Sequence, residues 1–126
     1  MLSPKLFLNF LKKKKINFFC GVPDSVLKNF TNYLSNQKKI EHVISTNEGS
    51  AVSLGIGTYL ATKKIPCVYM QNSGLGNAFN PLISIANKKV YSIPLILIIG
   101  WRGHPKKKDE PQHQEMGKIT VDTLKL

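Results

Sequence analysis

His42-Val43-Ile44-Ser45-Thr46-Asn47-Glu48-Gly49-Ser50-Ala51 is the stretch on which the fold turns. Its first four residues read as a strand, and its last five open a helical pattern rich in small side chains. A strand that passes into a helix through a short polar turn is the repeating unit of a parallel α/β sheet. Glu48 then stands at the carboxyl end of that strand, where open α/β sheets place their chemistry. The small residues behind it would let a flat ligand approach the backbone closely.

The same unit recurs on both sides. Residues 16–20 (Ile-Asn-Phe-Phe-Cys) read as a strand ended by the turn Gly21-Val22-Pro23-Asp24. Asp24 or Ser25 is expected to cap a helix whose inner face carries Val26, Leu27, Phe30, Tyr33 and Leu34. Residues 39–45 form the second strand and Glu48 to Thr62 the third helix. Residues 65–70 give a third strand, which runs into Gln71-Asn72-Ser73-Gly74-Leu75-Gly76-Asn77 and a helix over 74–87 with a kink at Pro81. Ahead of all these, Ser3 as cap and Pro4 at the first helical position start a helix, which Lys12 to Lys15 close. Residues 94–100 read as a buried fourth strand, residues 101–117 as a polar loop, and the remainder as the start of another helix. Strands alternating with helices predict a parallel sheet covered on both faces, a three-layer α/β/α fold.

Composition narrows the function. The 126 residues make one domain at most, and 42% hydrophobic content fits a globular chain. The net charge is +11, yet Arg102 is the single arginine among eighteen basic residues. Nucleic-acid readers rely on arginine for bidentate and stacking contacts, so the lysine surplus reads as solvated surface. No nucleic-acid partner is expected. Cys20 and Cys67 lie in apolar runs and read as buried free thiols, pointing to a reducing compartment. The apolar residues of the N-terminus precede its lysines, the reverse of a signal peptide. The longest apolar run, 93–101, is far shorter than the roughly 20 residues of a membrane helix. The expected location is cytoplasmic, with no membrane partner and no metal ligands in the chain.

Each polar turn also has a plain structural reading. Glu48 alone is a helix N-terminal carboxylate favoured by the dipole, and Gly21 to Asp24 alone is a turn with a cap. Gln71 to Asn77 lacks both the Lys-Ser/Thr end of a P-loop and the spacing of a dinucleotide fingerprint. One polar turn after each of the first three strands is more telling than any of them singly.

With these segments in view, the chain resembles the N-terminal, pyrimidine-binding domain of thiamine-diphosphate-dependent decarboxylases, above all those acting on phosphonopyruvate, with the sulfopyruvate decarboxylase alpha subunit a near relative. The carrying segments are Phe19-Cys20-Gly21-Val22-Pro23-Asp24-Ser25-Val26-Leu27, His42-Val43-Ile44 through Asn47-Glu48-Gly49-Ser50-Ala51-Val52, and Val68 through Asn77. Gly100-Trp101-Arg102-Gly103 and Asp109-Glu110-Pro111-Gln112-His113 complete them.

The resemblance implies a function and assigns residues to it. Glu48 matches the glutamate that bonds the aminopyrimidine ring of thiamine diphosphate and promotes its imino tautomer. Asp24 matches an acidic residue that handles protons near the substrate, and its role as a cap competes with that. Gly21, Val22, Pro23, Asn72, Ser73 and Gly74 would line the pyrimidine pocket, His113 would serve as an acid-base or orienting group, and Arg102 would meet a phosphonate dianion. The implied reaction converts phosphonopyruvate to phosphonoacetaldehyde and CO2; the alternatives are the sulfopyruvate reaction or a non-catalytic remnant that dimerises through its Gly/Ala-rich helix. Such enzymes hold Mg2+ and the diphosphate through a Gly-Asp-Gly segment of a second domain, which is not found here. The chain is therefore expected to be a partial pyrimidine domain over 1–126, inactive alone and oligomeric with a diphosphate-binding partner.

Overall fold

The computed structural model describes residues 3–125. In chain order the elements are α1 (Pro4–Lys13), β1 (Phe18–Gly21), α2 (Lys28–Ser35), β2 (Glu41–Ile44), α3 (Glu48–Thr62), β3 (Cys67–Gln71), α4 (Leu75–Pro81), β4 (Ile96–Gly100) and α5 (Pro111–Thr123). Asn72–Gly74 form a 3-10 turn ahead of α4, and Leu82–Ala86 continue it as a π-helical turn. The helical run expected over 74–87 is thus present, and its pitch widens directly after Pro81, which cannot donate to the i−4 ladder.

All four strands are parallel, in the order β2-β1-β3-β4. Alternation along each strand sends side chains to two separate cores. Cys20, Val68 and Met70 pack against Ala51, Val52 and Ile56 of α3 and Leu75 and Ala78 of α4. On the other face Phe19, Cys67 and Tyr69 meet Leu8 and Leu11 of α1 and Phe30 and Leu34 of α2. This is the three-layer α/β/α arrangement of the sequence reading. The large fully buried side chains, such as Phe19, Tyr69 and Met70, each contribute about 1.5–3 kcal/mol of burial. Both cysteines are buried free thiols; burial pushes Cys20 up to about 12, and Cys67 is raised for the same reason.

Gly21 shows why β1 and β3 can lie side by side at their carboxyl ends. A Cβ there would sit 2.0 Å from the Tyr69 carbonyl oxygen, so only glycine fits. Helix α3 begins at Glu48 because Asn47 takes an extended conformation and its Oδ1 accepts from the Ser50 N–H at 2.9 Å. It ends where Lys63 turns left-handed, with its N–H donated to the Tyr59 carbonyl.

Four expectations need correction. Ser3 precedes α1 in an extended conformation, but its side chain makes no cap bond. Helix α2 starts at Lys28, since Asp24 first closes a turn of its own through the Val26 N–H. Strand β4 is half-buried rather than buried, because among the described residues it is an edge strand paired only with β3. The polar loop after β4 is shorter than expected: Pro111 opens α5 at its first position, so residues 111–117 are helical.

Candidate active site

In a parallel sheet every strand-to-helix turn emerges at the carboxyl end, and the strand order reverses between β1 and β3. A crevice forms at such a switch point. Asp24 follows β1 and Gln71 ends β3, and they meet across that crevice. Gln71 Nε2 donates to Asp24 Oδ1 at 2.6 Å, while the Val26 N–H donates to Asp24 Oδ2 at 3.0 Å. Ser73 Oγ in turn donates to Gln71 Oε1 at 2.6 Å. A carboxylate can only accept, so the Gln71 amide is oriented with nitrogen toward Asp24 and oxygen toward Ser73. The result is a directed line of bonds from the exposed Ser73 hydroxyl to the buried Asp24 carboxylate. Gly100, at the end of β4, makes room for it: a Cβ there would lie 2.3 Å from Asp24 Oδ2.

Glu48 occupies a second position along the same edge. Its half-buried side chain lies against the backbone of Gly74, where a Cβ would come within 2.3–2.6 Å of the side chain and its Oε1. Asn77 Nδ2 donates to the other oxygen, Oε2, at 2.9 Å. One oxygen is thus held from α4, and the other is turned toward a glycine surface. Asn77 needs its own close neighbour, as a Cβ on Gly49 would lie 2.8 Å from the Asn77 carbonyl oxygen.

The loop after β4 is organised by Asp109. Arg102 Nε donates to Asp109 Oδ2 at 2.7 Å and Nη2 donates to Oδ1, a bidentate pair. The N–H groups of Gly103 and Glu110 donate to the same carboxylate at 2.9 Å each. The Arg102 side chain, followed by the Gly103 N–H, holds the Asp109 carboxyl well below the usual carboxylate range. Hydrogen bonding to Asp109 likewise raises the Arg102 guanidinium. Arg102 Nη1 also donates to Ser25 Oγ at 3.0 Å, tying this loop to the turn that carries Asp24.

Asn72 serves the interior. It is fully buried; its Nδ2 donates to the Arg102 carbonyl at 2.9 Å and to Thr120 Oγ1 at 2.8 Å, and its Oδ1 accepts from the Arg102 N–H. Its side chain is a clasp joining β3, the β4 loop and α5, while Ser73 and Gly74 face the site. Gly21 is required by strand packing, the Val22 N–H donates to the Tyr69 carbonyl, and Pro23 is exposed. Arg102 lies near Asp24 with its guanidinium engaged by Asp109 and Ser25. His113 belongs to the first turn of α5, and its backbone carbonyl packs against Gly103. Sequence reasoning did not single out Gln71, Asn77 or Asp109 as functional. Gln71 and Asn77 bound the turn already quoted and Asp109 opens the last of the quoted segments, so their position was the available signal.

The arrangement packs the Glu48 side chain against Gly74 with one carboxyl oxygen held by Asn77, and it keeps a second carboxylate, Asp24, at the switch point. Among the described residues no group of three His, Cys, Asp or Glu side chains could hold a metal, and no helix is long and apolar enough to cross a bilayer.

Comparison with known proteins shows the family and the fold. The family described as "Thiamine pyrophosphate enzyme, N-terminal TPP binding domain" matches residues 4–125. Phosphonopyruvate decarboxylase of Streptomyces viridochromogenes is 42% identical over 106 residues, which are 84% of this chain and 26% of that protein. Sulfopyruvate decarboxylase subunit alpha of Methanocaldococcus jannaschii is 40% identical over 100 residues, 79% of this chain and 57% of the relative. The structure of a thiamine diphosphate-dependent 4-hydroxybenzoylformate decarboxylase from Rhodococcus jostii superposes with a TM-score of 0.71 over 94% of this chain and 23% of its own, at 22% identity, which speaks for the fold. The chain thus spans about a quarter of the length of the Streptomyces relative.

Proposed function

The chain belongs to the thiamine pyrophosphate enzymes through their N-terminal TPP-binding domain, and from that premise we propose that it is the pyrimidine-binding part of a 2-oxo acid decarboxylase acting on phosphonopyruvate. The observation that carries the reading is Glu48 at the carboxyl end of β2, whose carboxylate is steadied by Asn77 and whose side chain packs onto Gly74. What suits an aminopyrimidine ring is the chemistry of the donor set: a carboxyl oxygen of Glu48 can bond a ring nitrogen while Asn77 holds the other oxygen. When bound, thiamine diphosphate supplies the electron sink for the carbon–carboxylate bond that breaks. Glu48 then holds the ring in register and exchanges a proton with its nitrogen. Asp24, kept in place by Gln71 and Val26, handles a proton at the substrate side. Ser73, Gly74 and the Gly21–Pro23 turn would border the ring, and His113, in the first turn of α5, would serve as an acid-base or orienting group.

Phosphonopyruvate is preferred over sulfopyruvate on the segments Gly100–Gly103 and Asp109–His113. Arg102 would meet the phosphonate only by giving up its pair with Asp109, which occupies the guanidinium fork and balances its charge. Mg2+ and the diphosphate would be held by a separate diphosphate-binding domain, in the same polypeptide or as a partner subunit. The outward face of α3 offers a place for it, with Leu54 and Leu60 exposed and Gly57 opening onto empty space. The two buried free thiols favour the cytoplasm.

The test joins the chain to a diphosphate-binding half from a relative and assays phosphonoacetaldehyde with thiamine diphosphate and Mg2+. Glu48→Gln should lower kcat at least about a hundredfold, in the range of a lost general acid–base group, with an unchanged thermal melt. Equal turnover by the variant would refute the assignment. Preference for sulfopyruvate in the same assay would keep the family role and change the substrate.

A further inference from the structure

The topology sorts the charges of this chain in a way that composition alone conceals. In a parallel sheet all helix-to-strand connections emerge at the amino end, opposite the candidate site. Here Lys12 and Lys13 end α1 and Lys14 and Lys15 follow it before β1, while Lys38 and Lys39 precede β2, Lys63 and Lys64 precede β3, and Lys88 and Lys89 precede β4. These ten lysines face one carboxylate, Glu41, so this end holds nine of the eleven net positive charges. The other six acidic residues lie beyond it, at the carboxyl end or on α5. Nine of the ten lysines are exposed and Lys12 is partly so; among the described residues none forms an ion pair.

The same connections expose apolar side chains. Ile65, Val90 and Tyr91 stand out at this end, Tyr91 with 71% of its surface free, and Phe10 in the last turn of α1 lies under the Lys14 ammonium. Lysines at helix C-termini are favoured by the helix dipole, which explains part of the charge but not the apolar residues among it. We propose that this end of the molecule is a docking surface for an anionic lipid bilayer, to which the lysines supply diffuse attraction and Tyr91, Val90 and Ile65 a shallow apolar footing.

Three features favour that partner. Lysine is a compact point charge suited to a diffuse anionic plane, and clusters of it beside apolar tips are what such planes retain. Protein interfaces are depleted in lysine. Nucleic-acid sites lean on arginine, and the single arginine sits at the far end, paired with Asp109. Docked in this way the molecule would turn its candidate active site away from the membrane. This surface is independent of the decarboxylase reading and goes beyond it.

The test is co-sedimentation of the 126-residue chain with vesicles of about one-third phosphatidylserine in phosphatidylcholine, beside pure phosphatidylcholine. Binding to the anionic vesicles alone is expected, weakening at least about tenfold as salt is raised from tens to hundreds of millimolar. Replacing Lys12, Lys13, Lys14 and Lys15 together by glutamine should weaken it about tenfold or more. The control variant with Lys106→Gln, Lys107→Gln and Lys108→Gln, at the opposite end, should bind like the parent. Val90→Ser with Tyr91→Ser should remove what binding survives at high salt. The proposal is overturned by absence of sedimentation at low salt, by an equal loss in the control variant, or by polyuridylate binding without vesicle binding.

Discussion

The Asp24 carboxylate accepts one hydrogen bond on each oxygen, and the one from Gln71 is the shorter of the two. A hydrogen bond to a charged group contributes about 1.5–3 kcal/mol, so Gln71→Leu is expected to lower kcat of the reconstituted enzyme about tenfold or more while KM moves less. Side-by-side kinetics and melts of the variant check this, because a purely structural role would appear in the melt and leave turnover alone. Asn72 gives the opposite pattern. Its amide makes three internal bonds in a fully buried setting, and Asn72→Ala would remove all three and leave the Arg102 carbonyl without its donor, while Thr120 keeps its bond to Met116 and the Arg102 N–H its bond to Gly100. A loss of about 3 kcal/mol, read from the urea midpoint, is expected. Neighbouring polar residues of one turn therefore divide between chemistry and architecture.

Among the elements, α5 depends on a contact that only backbone can make. Gly103 has φ +66°, and a Cβ there would lie 1.7 Å from the His113 carbonyl oxygen; on Gly117 it would lie 1.7 Å from the Gly103 carbonyl oxygen. The loop and the helix cross at backbone distance, and Trp101 Nε1 donates to the Gly117 carbonyl beside them. Gly103→Ala must both strain a left-handed residue and push α5 away. Faster hydrogen exchange throughout residues 111–123, with β1 and β3 still protected, is the expected result. Uniform protection would show that the crossing can relax. Helix α3 poses a different question: Glu48 is its only charged residue, and a helix apolar on nearly all sides is ordinarily covered on all sides.

For the molecule as a whole, acid should act through two groups. Burial holds the His42 imidazole below its ordinary 6.5, with Nε2 against the Tyr69 hydroxyl at 2.8 Å and Nδ1 near Ser35. The unfolded chain takes up that proton more readily, so stability is full above about pH 6.5 and declines as pH falls below it. Asp109 is also depressed, by Arg102 first, and its contribution is present above the ordinary carboxylate value near 4 and lost as pH falls further. Thermal melts from pH 8 to pH 3 should therefore descend in two stages, and His42→Gln should flatten the upper one. A single transition below pH 4 would remove His42 from this account.

Read alone, the chain determined its alternation of strands and helices, because periodicity and turn chemistry are local properties that lie along the sequence. It also determined the carboxyl-end turns that carry Asp24, Glu48 and Ser73-Gly74, since each turn directly follows an apolar strand. Four matters were decided only in three dimensions. The strand order brought Gln71 to Asp24 over 47 residues of sequence separation, and Asn72 was turned inward by Thr120, 48 residues away. Asp109 closed on Arg102 and took up its guanidinium. The parallel sheet gathered lysines from four separate connections onto one end. The physical reason is common to them all: propensity and capping act over a few neighbouring residues, whereas hydrogen-bond partners and charge neighbours are chosen by how layers pack, and packing is a property of the folded chain.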